Sequence, residues 1–579
     1  MLTFAGVFTL GEPPPDPPPL DQVSRILEAQ NPAPLRRIER GRLAVVWHED
    51  TTLPDPGLFE SPTRLVLLNG DPLYSPAPKP RDRQAALLAQ TPDPAAALSL
   101  CPGSFALLHH DLDSGQLLLA SDALGARTIH YTIRNGRLYF ASQLSILEQW
   151  SALPLTASTA ALLEFLQLGY NLDGRSPYCE VRCLRQGEYL AASPDGCSTR
   201  FYHRWDQLDP VELDYPGRAR RAYELFRQAV ERRSWRSPDA AVMISGGLDS
   251  RMCATVLHQL GKRIVAINCA PGAVRLQDES IAVRLTRALG CELVRVPIPP
   301  GSVSWSRLAQ QGLDQLNGRL DPVAARAIFS GDGGSVGLGF VYYQPDTIAL
   351  LREGKLDEVV RRYVSPFLRI PGRYVAQDAG ERAHQDLRRS IESLTRAIDA
   401  EPGRQFHLFL MNNDQRCHMH GYFDALAALR HEVHIPFYDA DLLRFLLACP
   451  ADDFTGHRIY HDILAHLPAA VNAIPWQTYP GHLLCPVADA DDSACSQFSP
   501  EAREKLKRVL NSDVPHALGP ALRPLFPSPP FRRLPVLLTS LLAAATGSGR
   551  FAYVHRAVLT ASRVSAAARG RIVWDLPGQ

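Results

Sequence analysis

The chain has 579 residues, which is too long for one hydrophobic core and predicts two or three domains. Apolar residues make up 45% and charged residues 21% of it, as in an ordinary globular protein. The formal net charge of +1 provides no electrostatic reason to expect binding to nucleic acid or to an anionic membrane surface.

The apolar runs and the cysteines predict a cytoplasmic protein without a membrane span. The most apolar late run, residues 534–546, is shorter than the roughly 20 residues that a membrane helix needs. No signal peptide precedes the prolines at 13–15. The 11 cysteines form no CxxC pair and no zinc-ligand spacing, which is typical of reduced thiols.

The amino-terminal third shows a repeated strand pattern. Short apolar runs alternate there with turn sequences such as Asn135-Gly136. The runs cover residues 105–111, 116–121, 129–133 and 138–142. This spacing predicts a meander of antiparallel strands that forms one layer of a β-sandwich.

Three motifs of this region resemble the glutaminase-type domain of asparagine synthetases. They are Gly-Ser-Phe-Ala at 103–106, Ser-Asp-Ala-Leu-Gly-Ala-Arg at 121–127 and Gly-Arg-Leu-Tyr-Phe-Ala-Ser at 136–142. In that family an amino-terminal cysteine, with its own α-amine as base, hydrolyses glutamine to release ammonia. This chain begins with methionine, and its first cysteine is Cys101. The resemblance therefore implies a degenerate glutaminase-like (Ntn-type) domain over residues 1–205 that is inactive towards glutamine.

A glycine loop, here called the first loop, follows the apolar run at residues 240–244. It consists of Ser245, Gly246, Gly247, Leu248, Asp249 and Ser250, and a helical pattern continues from it. The run predicts a buried parallel strand, and the start of the helix would direct N–H groups and the positive end of its dipole at an anion. Asp249 lies inside this anion site, and a carboxylate there requires a divalent cation between it and a phosphate. The first loop therefore predicts a nucleotide and a metal ion held by Asp249.

The first loop resembles the pyrophosphate loop of the ATP-pyrophosphatase superfamily, whose members cleave ATP between the α- and β-phosphates and adenylate a substrate. The resemblance implies ATP and Mg²⁺ at residues 245–250. Alternation of strand and helix patterns over residues 263–296 predicts an α/β fold with a doubly wound parallel sheet and extra helices. We expect this domain to cover residues 215–490, and we expect the backbone near Ile267 to read the adenine edge, as in the family.

A second glycine loop, residues 330–335, also follows a short apolar run. It resembles the Ser-Gly-x-Gly-x-Asp loop of asparagine and β-lactam synthetases. In those relatives the third position assists amine attack, and the aspartate at the sixth position binds magnesium. Asp332 is at the third position here, and Ser335 replaces the aspartate at the sixth. The resemblance implies that Gly331 and Gly333 bind the nucleotide, and that Asp332 either orients or deprotonates the amine or is itself the second metal ligand.

A third resemblance runs from Asp414 to residue 439. Its last part is similar to the Glu-x-Arg-x-Pro-Phe-x-Asp segment of asparagine synthetases, with His434 in place of the arginine. Asp414 and Glu432 would support an acid–base residue. The alternative for each is an ion pair at a helix end that positions the domain.

Relatives also place a lysine where it stabilises the departing pyrophosphate. This chain has no lysine between Lys355 and Lys505. Arg458 is the nearest cation able to take its place, since arginine is a competent phosphate clamp. Gln477 lies roughly where family members carry a second basic residue.

These resemblances imply an ATP-dependent enzyme that forms amide bonds without its own glutaminase. An amine carried by the substrate then suits the reaction better than ammonia from glutamine, as in β-lactam synthetases and lasso-peptide macrolactam cyclases. The cyclases resemble this chain in length, in the degenerate amino-terminal domain and in the Gly-Gly second loop. We expect a peptide or small-molecule substrate that carries a carboxylate and an amine, and, for a cyclase, a precursor-peptide protease as partner.

Two other interpretations stay open. One is an ammonia-dependent, asparagine-synthetase-like amidotransferase that acts on a sugar or envelope precursor. The other is a non-catalytic nucleotide-binding homologue, because Ser335 and the missing lysine depart from the family pattern. Residues 491–579 predict a helical carboxyl-terminal extension whose role the sequence does not indicate.

Overall fold

The computed structural model describes the greater part of the chain. The described residues are 3–12, 20–31, 33–48, 55–75, 77–271, 277–298, 311–316, 318–338, 346–364, 375–423, 431–477, 483, 485–487, 531–546 and 552–574. Residues 491–530 of the expected carboxyl-terminal extension lie outside this described part.

The strands and helices are numbered in chain order. The strands are β1 (Phe4–Thr9), β2 (Leu35–Arg40), β3 (Leu43–His48), β4 (Leu58–Glu60), β5 (Arg64–Asp71), β6 (Ser104–Asp111), β7 (Gln116–Ser121), β8 (His130–Arg134), β9 (Arg137–Ala141), β10 (Ala157–Ser158), β11 (Arg182–Cys183), β12 (Glu188–Ser193), β13 (Gly196–Phe201), β14 (Asp239–Met243), β15 (Arg263–Pro271), β16 (Glu292–Ile298), β17 (Ala327–Phe329), β18 (Glu432–His434) and β19 (Ile572–Val573). The helices are α1 (Leu20–Gln30), α2 (Arg81–Gln90), α3 (Pro94–Leu98), α4 (Leu144–Gln149), α5 (Thr159–Leu168), α6 (Tyr215–Ser234), α7 (Leu248–Gln259), α8 (Gln277–Ala288), α9 (Gly334–Gly337), α10 (Thr347–Arg352), α11 (Leu356–Val364), α12 (Gln377–Arg396), α13 (Pro402–Leu410), α14 (Arg416–His418), α15 (Ala440–Ala448), α16 (Arg458–Leu464), α17 (Ala469–Asn472), α18 (Arg533–Thr546) and α19 (Ala552–Ala567).

The amino-terminal part is a β-sandwich of two antiparallel sheets. One sheet has the strand order β11-β8-β9-β1-β3-β2, and the other has the order β13-β12-β7-β6-β5-β4. Their inner faces share one apolar core, to which Phe8 and Trp47 contribute from the first sheet and Leu108 and Leu119 from the second. The predicted sandwich is therefore confirmed.

The predicted meander does not lie in one layer, because its four strands divide between the two sheets. Strands β6 and β7 belong to one sheet, and the β8–β9 hairpin belongs to the other. Asp122 holds the crossing segment, since its buried carboxylate accepts hydrogen bonds from the backbone N–H groups of Leu124, Ala126 and Arg127 at 3.0–3.1 Å. This local turn redirects the chain, and the apolar alternation of the strands does not reveal it.

Helices cover both outer faces of the sandwich, which makes four layers. Helices α2 and α3 pack on the outer face of the sheet that contains β5 and β6. The other outer face is covered by α1 and α4 and also by the last two helices, with Val536 and Val564 among the buried contacts. Strand β19 then pairs in parallel with β10. The described end of the chain thus packs on the amino-terminal part.

The middle of the chain forms a parallel five-stranded sheet with the order β16-β15-β14-β17-β18. Helix α7 connects β14 to β15, and α8 connects β15 to β16, as the strand–helix alternation predicts. Strands β14 and β17 are neighbours, with Val242 opposite Phe329. The first loop follows β14 and the second loop follows β17, so both loops lie at the carboxyl edge of the sheet.

Buried ion pairs join the sandwich to the parallel-sheet part. The guanidinium of Arg127 contacts the carboxylate of Glu432 and donates to Asn69 Oδ1 at 3.0 Å. Arg236 donates to Asp55 at 2.7 Å. These contacts fix how the two parts meet near the start of β18.

None of the described helices is both long enough and apolar enough to cross a membrane.

Candidate functional site

The two glycine loops pack directly on each other. A Cβ atom added at Gly331 would lie 2.5 Å from the carbonyl carbon of Asp249, and one added at Gly334 would lie 2.6 Å from Asp249 Oδ1. Real Cβ atoms do not approach other atoms so closely, so both positions require glycine. The glycines of the second loop therefore serve to bring it against Asp249.

The carboxylate of Asp249 is the centre of this contact. Its Oδ1 accepts hydrogen bonds from the hydroxyls of Tyr460 at 2.6 Å and Ser335 at 3.0 Å, and its Oδ2 accepts one from the N–H of Ser335 at 3.0 Å. Burial raises the pKa of Asp249 to about 6, although these hydrogen bonds favour the charged form. Ser335, which departs from the family pattern, thus binds Asp249 directly.

Two serines shape the first loop. Ser250 Oγ accepts a hydrogen bond from the N–H of Ser245 at 3.0 Å, and Ser245 Oγ accepts one from the N–H of Gly247 at 3.2 Å. Helix α7 begins directly afterwards at Leu248, and Gly247 caps it without a side-chain hydrogen bond. The cap residue therefore does not occupy the N–H groups of the first helical turn with a side chain. An anion site requires such unoccupied N–H groups.

Asp332 lies close enough to Asp249 for its charge to raise the pKa of Asp249 further. Its carboxylate accepts a hydrogen bond from the hydroxyl of Ser330 in the same loop. The described residues contain no group of three or more His, Cys, Asp or Glu side chains that could hold a metal ion. Two carboxylates suit Mg²⁺ when phosphate oxygens and water supply its other ligands, because this ion usually binds through one or two carboxylates and the substrate. The donor set therefore fits a nucleotide-bound Mg²⁺.

The second loop is also fixed from its other side by Tyr438. A Cβ added at Gly333, where φ is +86°, would lie 2.1 Å from Tyr438 Cε1. The hydroxyl of Tyr438 donates to Gln415 Oε1 at 3.1 Å, and Gln415 Nε2 donates to Asp414 Oδ2 at 3.1 Å. Asp414 and Gln415 belong to a π-helical turn, Met411–Gln415. Asp414 is thus connected to the second loop through two side chains. Its role as support for an acid–base residue stays a prediction.

The structure places Glu432 away from this centre. It opens β18 and pairs with Arg127 of the sandwich, while Arg81 lies 3.9 Å from its other oxygen. The side chain of Glu432 is 15% exposed and that of Arg127 is 2% exposed. This arrangement supports the alternative of an ion pair that positions the domains.

Arg458 also lies apart from the first loop. It is exposed at the start of α16, and its guanidinium stacks on the ring of Tyr215 at 4.2 Å. Tyr460, two residues later, donates to Asp249. Residues two apart point to opposite sides of a helix, so Arg458 faces away from Asp249. The geometry does not support Arg458 as a phosphate clamp.

Ile267 lies beside the first loop in β15. Its carbonyl accepts a hydrogen bond from the N–H of Ile244 at 2.8 Å, and its side chain is buried. The next residue, Asn268, donates from its side chain to the carbonyl of Ile244 at 2.8 Å. The carbonyl of Ile267 therefore has a partner within the sheet, and adenine recognition by this backbone stays a prediction.

A fully buried arginine ties a later segment to the first loop. Arg251, two residues after Asp249, donates to the carbonyls of Val471 at 2.9 Å, Ile474 at 2.6 Å and Pro475 at 2.7 Å. Burial lowers its pKa to about 10. The N–H of Gln477 then donates to the carbonyl of Gly246 at 3.2 Å.

Sequence reasoning missed the side chains that support the two loops. Tyr460 and Arg251 received no role from the sequence motifs, and Gln415 and Tyr438 lie within the segment of the third resemblance but were given no role in it. One available signal was Arg251, because it directly precedes the mainly apolar residues 252–257, and a charged side chain buried there needs partners.

Cys101 is not suited to nucleophilic chemistry. Its Sγ donates to the carbonyl of Ala97 at 3.6 Å, and burial raises the pKa of its thiol. Cys101 therefore does not replace the amino-terminal thiol of an active glutaminase.

A family model for a glutamine amidotransferase domain matches residues 88–203. This part of the chain is similar to a glutamine amidotransferase domain. Among solved structures, glutamine phosphoribosylpyrophosphate (PRPP) amidotransferase from B. subtilis, complexed with ADP and GMP, is similar at 11% identity and a TM-score of 0.26, over 51% of this chain and 90% of that chain. An allosteric regulatory enzyme of purine biosynthesis is similar at 12% identity and a TM-score of 0.25, over 53% of this chain and 82% of that chain. No curated protein matches the chain.

Proposed function

We propose that this amidotransferase-like protein is an ATP-dependent, AMP-forming carbon–nitrogen ligase of the asparagine-synthetase type, in which the glutaminase-like domain has no glutaminase activity. The observation that carries the proposal is the position of Asp249. It lies in the first turn of α7, at the carboxyl edge of the parallel sheet, and the second loop holds its carboxylate in place.

In the proposed reaction a substrate carboxylate oxygen attacks the α-phosphorus of ATP, and pyrophosphate leaves. An amine of the substrate then attacks the acyl carbon, loses a proton, and displaces AMP. Peptide macrolactam formation is the form of this reaction that we favour. Holding the carboxylate and the amine in one site removes the entropic cost of bringing them together.

The residues of this chain take separate parts. The first loop and the N-terminus of α7 bind the phosphates, with the dipole of α7 favouring their charge. Mg²⁺, held by Asp249 and Asp332 together with phosphate oxygens, would supply charge neutralisation at the phosphates. Ser335 and Tyr460 position the carboxylate of Asp249 through their hydrogen bonds.

Calorimetric titration with Mg²⁺-ATP tests the nucleotide site. We expect the wild-type protein to bind, and we expect Asp249→Asn to weaken binding at least tenfold. Asp239→Asn is the matched control, because Asp239 lies at the start of β14, at the other edge of the sheet from the first loop, and pairs with Arg263. Absence of binding by the wild type, or equal binding by Asp249→Asn, would show that the first loop is not a nucleotide site.

A second candidate is an amidotransferase that uses ammonia, and the glutamine amidotransferase match at residues 88–203 favours it. Product mass separates the two. Intramolecular amide formation removes one water from the substrate, whereas ammonia addition exchanges a hydroxyl for an amino group and depends on added ammonium. Pyrophosphate release that depends on neither substrate nor ammonium would contradict both.

A further inference from the structure

Gln477 is a buried polar side chain without a hydrogen-bond partner. The residue is 6% exposed, and neither its Nε2 nor its Oε1 has a hydrogen-bond partner among the residues that the structure describes. Leaving a buried amide unpaired is unfavourable, and most such groups in proteins are satisfied. A site that keeps both atoms unpaired therefore calls for an explanation.

The position of Gln477 is set by the first loop and α7. Its own N–H donates to the carbonyl of Gly246 at 3.2 Å. The preceding residues are held by Arg251, whose guanidinium donates to the carbonyls of Ile474 and Pro475. Gln477 is therefore held against the first loop by its own N–H, and the segment before it is held against α7 by Arg251.

The chemistry beside Gln477 favours an anion. The first turn of α7 has no side-chain cap from Gly247, so its N–H groups and dipole favour negative charge. Neither glycine loop contains a lysine or arginine. The guanidinium of Arg251 is engaged by carbonyl groups, and that of Arg458 stacks on Tyr215. The side-chain amide of Gln477 is therefore available as a neutral donor to phosphate oxygens at the first loop.

We propose that Gln477 is a phosphate-binding residue, with Nε2 donating to a phosphate oxygen of ATP bound at the first loop. This inference rests on the proposed function, because it takes the first loop to be the ATP site. It adds that the donor from residues 471–477 is neutral, so that α7 and the metal neutralise the phosphate charge.

Isosteric substitution tests the inference. Gln477→Glu keeps the shape and replaces the donor by a charge that repels phosphate, and Gln477→Met removes the donor without adding a charge. Asn472→Ala is the matched control, because Asn472 lies in the same segment and its amide donates to the carbonyls of Leu464 and Leu467. The probes are Mg²⁺-ATP and adenosine, which lacks phosphates, each measured by calorimetric titration of the full chain, with thermal unfolding of every variant.

We expect Gln477→Glu and Gln477→Met to weaken Mg²⁺-ATP binding about tenfold or more, as the loss of a hydrogen bond to a charged group implies. Adenosine binding stays unchanged in both, and Asn472→Ala keeps the wild-type affinity for Mg²⁺-ATP. Equal losses for ATP and adenosine, or unchanged ATP affinity in folded variants, would overturn the inference and leave the nucleotide site intact. Failure of the wild type to bind ATP would instead overturn the proposed function itself.

Discussion

Substitution by alanine should have opposite effects on stability at the two ends of α9, Gly334 and Gly337. At Gly334 an added Cβ would lie 2.6 Å from Asp249 Oδ1 and 2.9 Å from Phe437 Cε2. At Gly337, among the described residues, it would meet only Leu443 Cδ2, at an ordinary 3.7 Å. Both residues lie in one short helix with helical backbone, so the difference comes from packing alone.

Gly334→Ala forces Asp249 or Phe437 to move. Overpacking of this kind costs about 1–3 kcal/mol, which corresponds to a fall of roughly 3–9 °C in the unfolding midpoint of a domain of this size. Gly337→Ala should instead gain about 0.5–1 kcal/mol, because alanine loses less conformational entropy than glycine in a helix. We also expect Gly334→Ala to weaken Mg²⁺-ATP binding, since the carboxylate of Asp249 is displaced.

Thermal unfolding of the two variants, followed by titration with Mg²⁺-ATP, measures these effects. The order of the midpoints should be Gly337→Ala above wild type and Gly334→Ala below it. If the two variants unfold at the same temperature and bind alike, the two loops do not pack as described, and the role given to Asp249 loses its structural basis.

Three more predictions follow from the same contacts. Because the pKa of Asp249 is raised to about 6, the folded protein binds more protons than the unfolded chain between about pH 4 and 6. Ionisation of Asp249 therefore lowers the free energy of unfolding as the pH rises through this window. Without nucleotide or metal, the free energy of unfolding of Asp249→Asn should rise by up to about 3 kcal/mol relative to that of the wild type between pH 4 and pH 7. If the difference in stability between Asp249→Asn and the wild type is the same at pH 4 and at pH 7, the pKa of Asp249 is not raised. Glu432→Gln leaves Arg127 buried without its anion and should lower the free energy of unfolding by about 3–5 kcal/mol, with kcat unchanged. The double variant Arg127→Met/Glu432→Leu should be more stable than Glu432→Gln. A loss of kcat at unchanged stability would make Glu432 part of the chemistry. Tyr460→Phe removes a hydrogen bond that lowers the pKa of Asp249, so it should raise that pKa by about one unit in the pH profile of Mg²⁺-ATP binding. Arg458→Ala should leave the pH profile unchanged. A shift of the profile with Arg458→Ala would place that arginine at the phosphates.

Local patterns predicted much of the fold. The Asn135-Gly136 turn has positive φ at both residues, 47° and 67°, and joins β8 to β9 as a two-residue hairpin. The strand–loop–helix reading of residues 240–257 corresponds to β14, the first loop and α7. Such features follow from short-range rules of turn geometry and apolar periodicity, and so they are visible in one sequence.

Contacts between distant segments were not visible in the sequence. Asp122 moves the chain from one sheet to the other through its own hydrogen bonds. Helices α18 and α19 pack on the amino-terminal sandwich, a contact that the predicted helical carboxyl-terminal extension did not include. Neither arrangement has a periodic sequence pattern, because each depends on contacts that form only after the sheets have packed.

The sequence by itself determined that Asp249 lies at the start of a helix beyond a buried strand. It also determined that the second loop carries Ser335 at the position where the asparagine and β-lactam synthetases that it resembles have an aspartate, and it predicted that the first loop binds an anion. Only the tertiary structure decided that Ser335 and Tyr460 bind the carboxylate of Asp249, and that Glu432 and Arg458 face other partners. The physical reason is that a strand, a turn and a helix start are specified by neighbouring residues. The environment of a carboxylate is specified by whichever distant side chains the packed sheet brings within hydrogen-bonding distance.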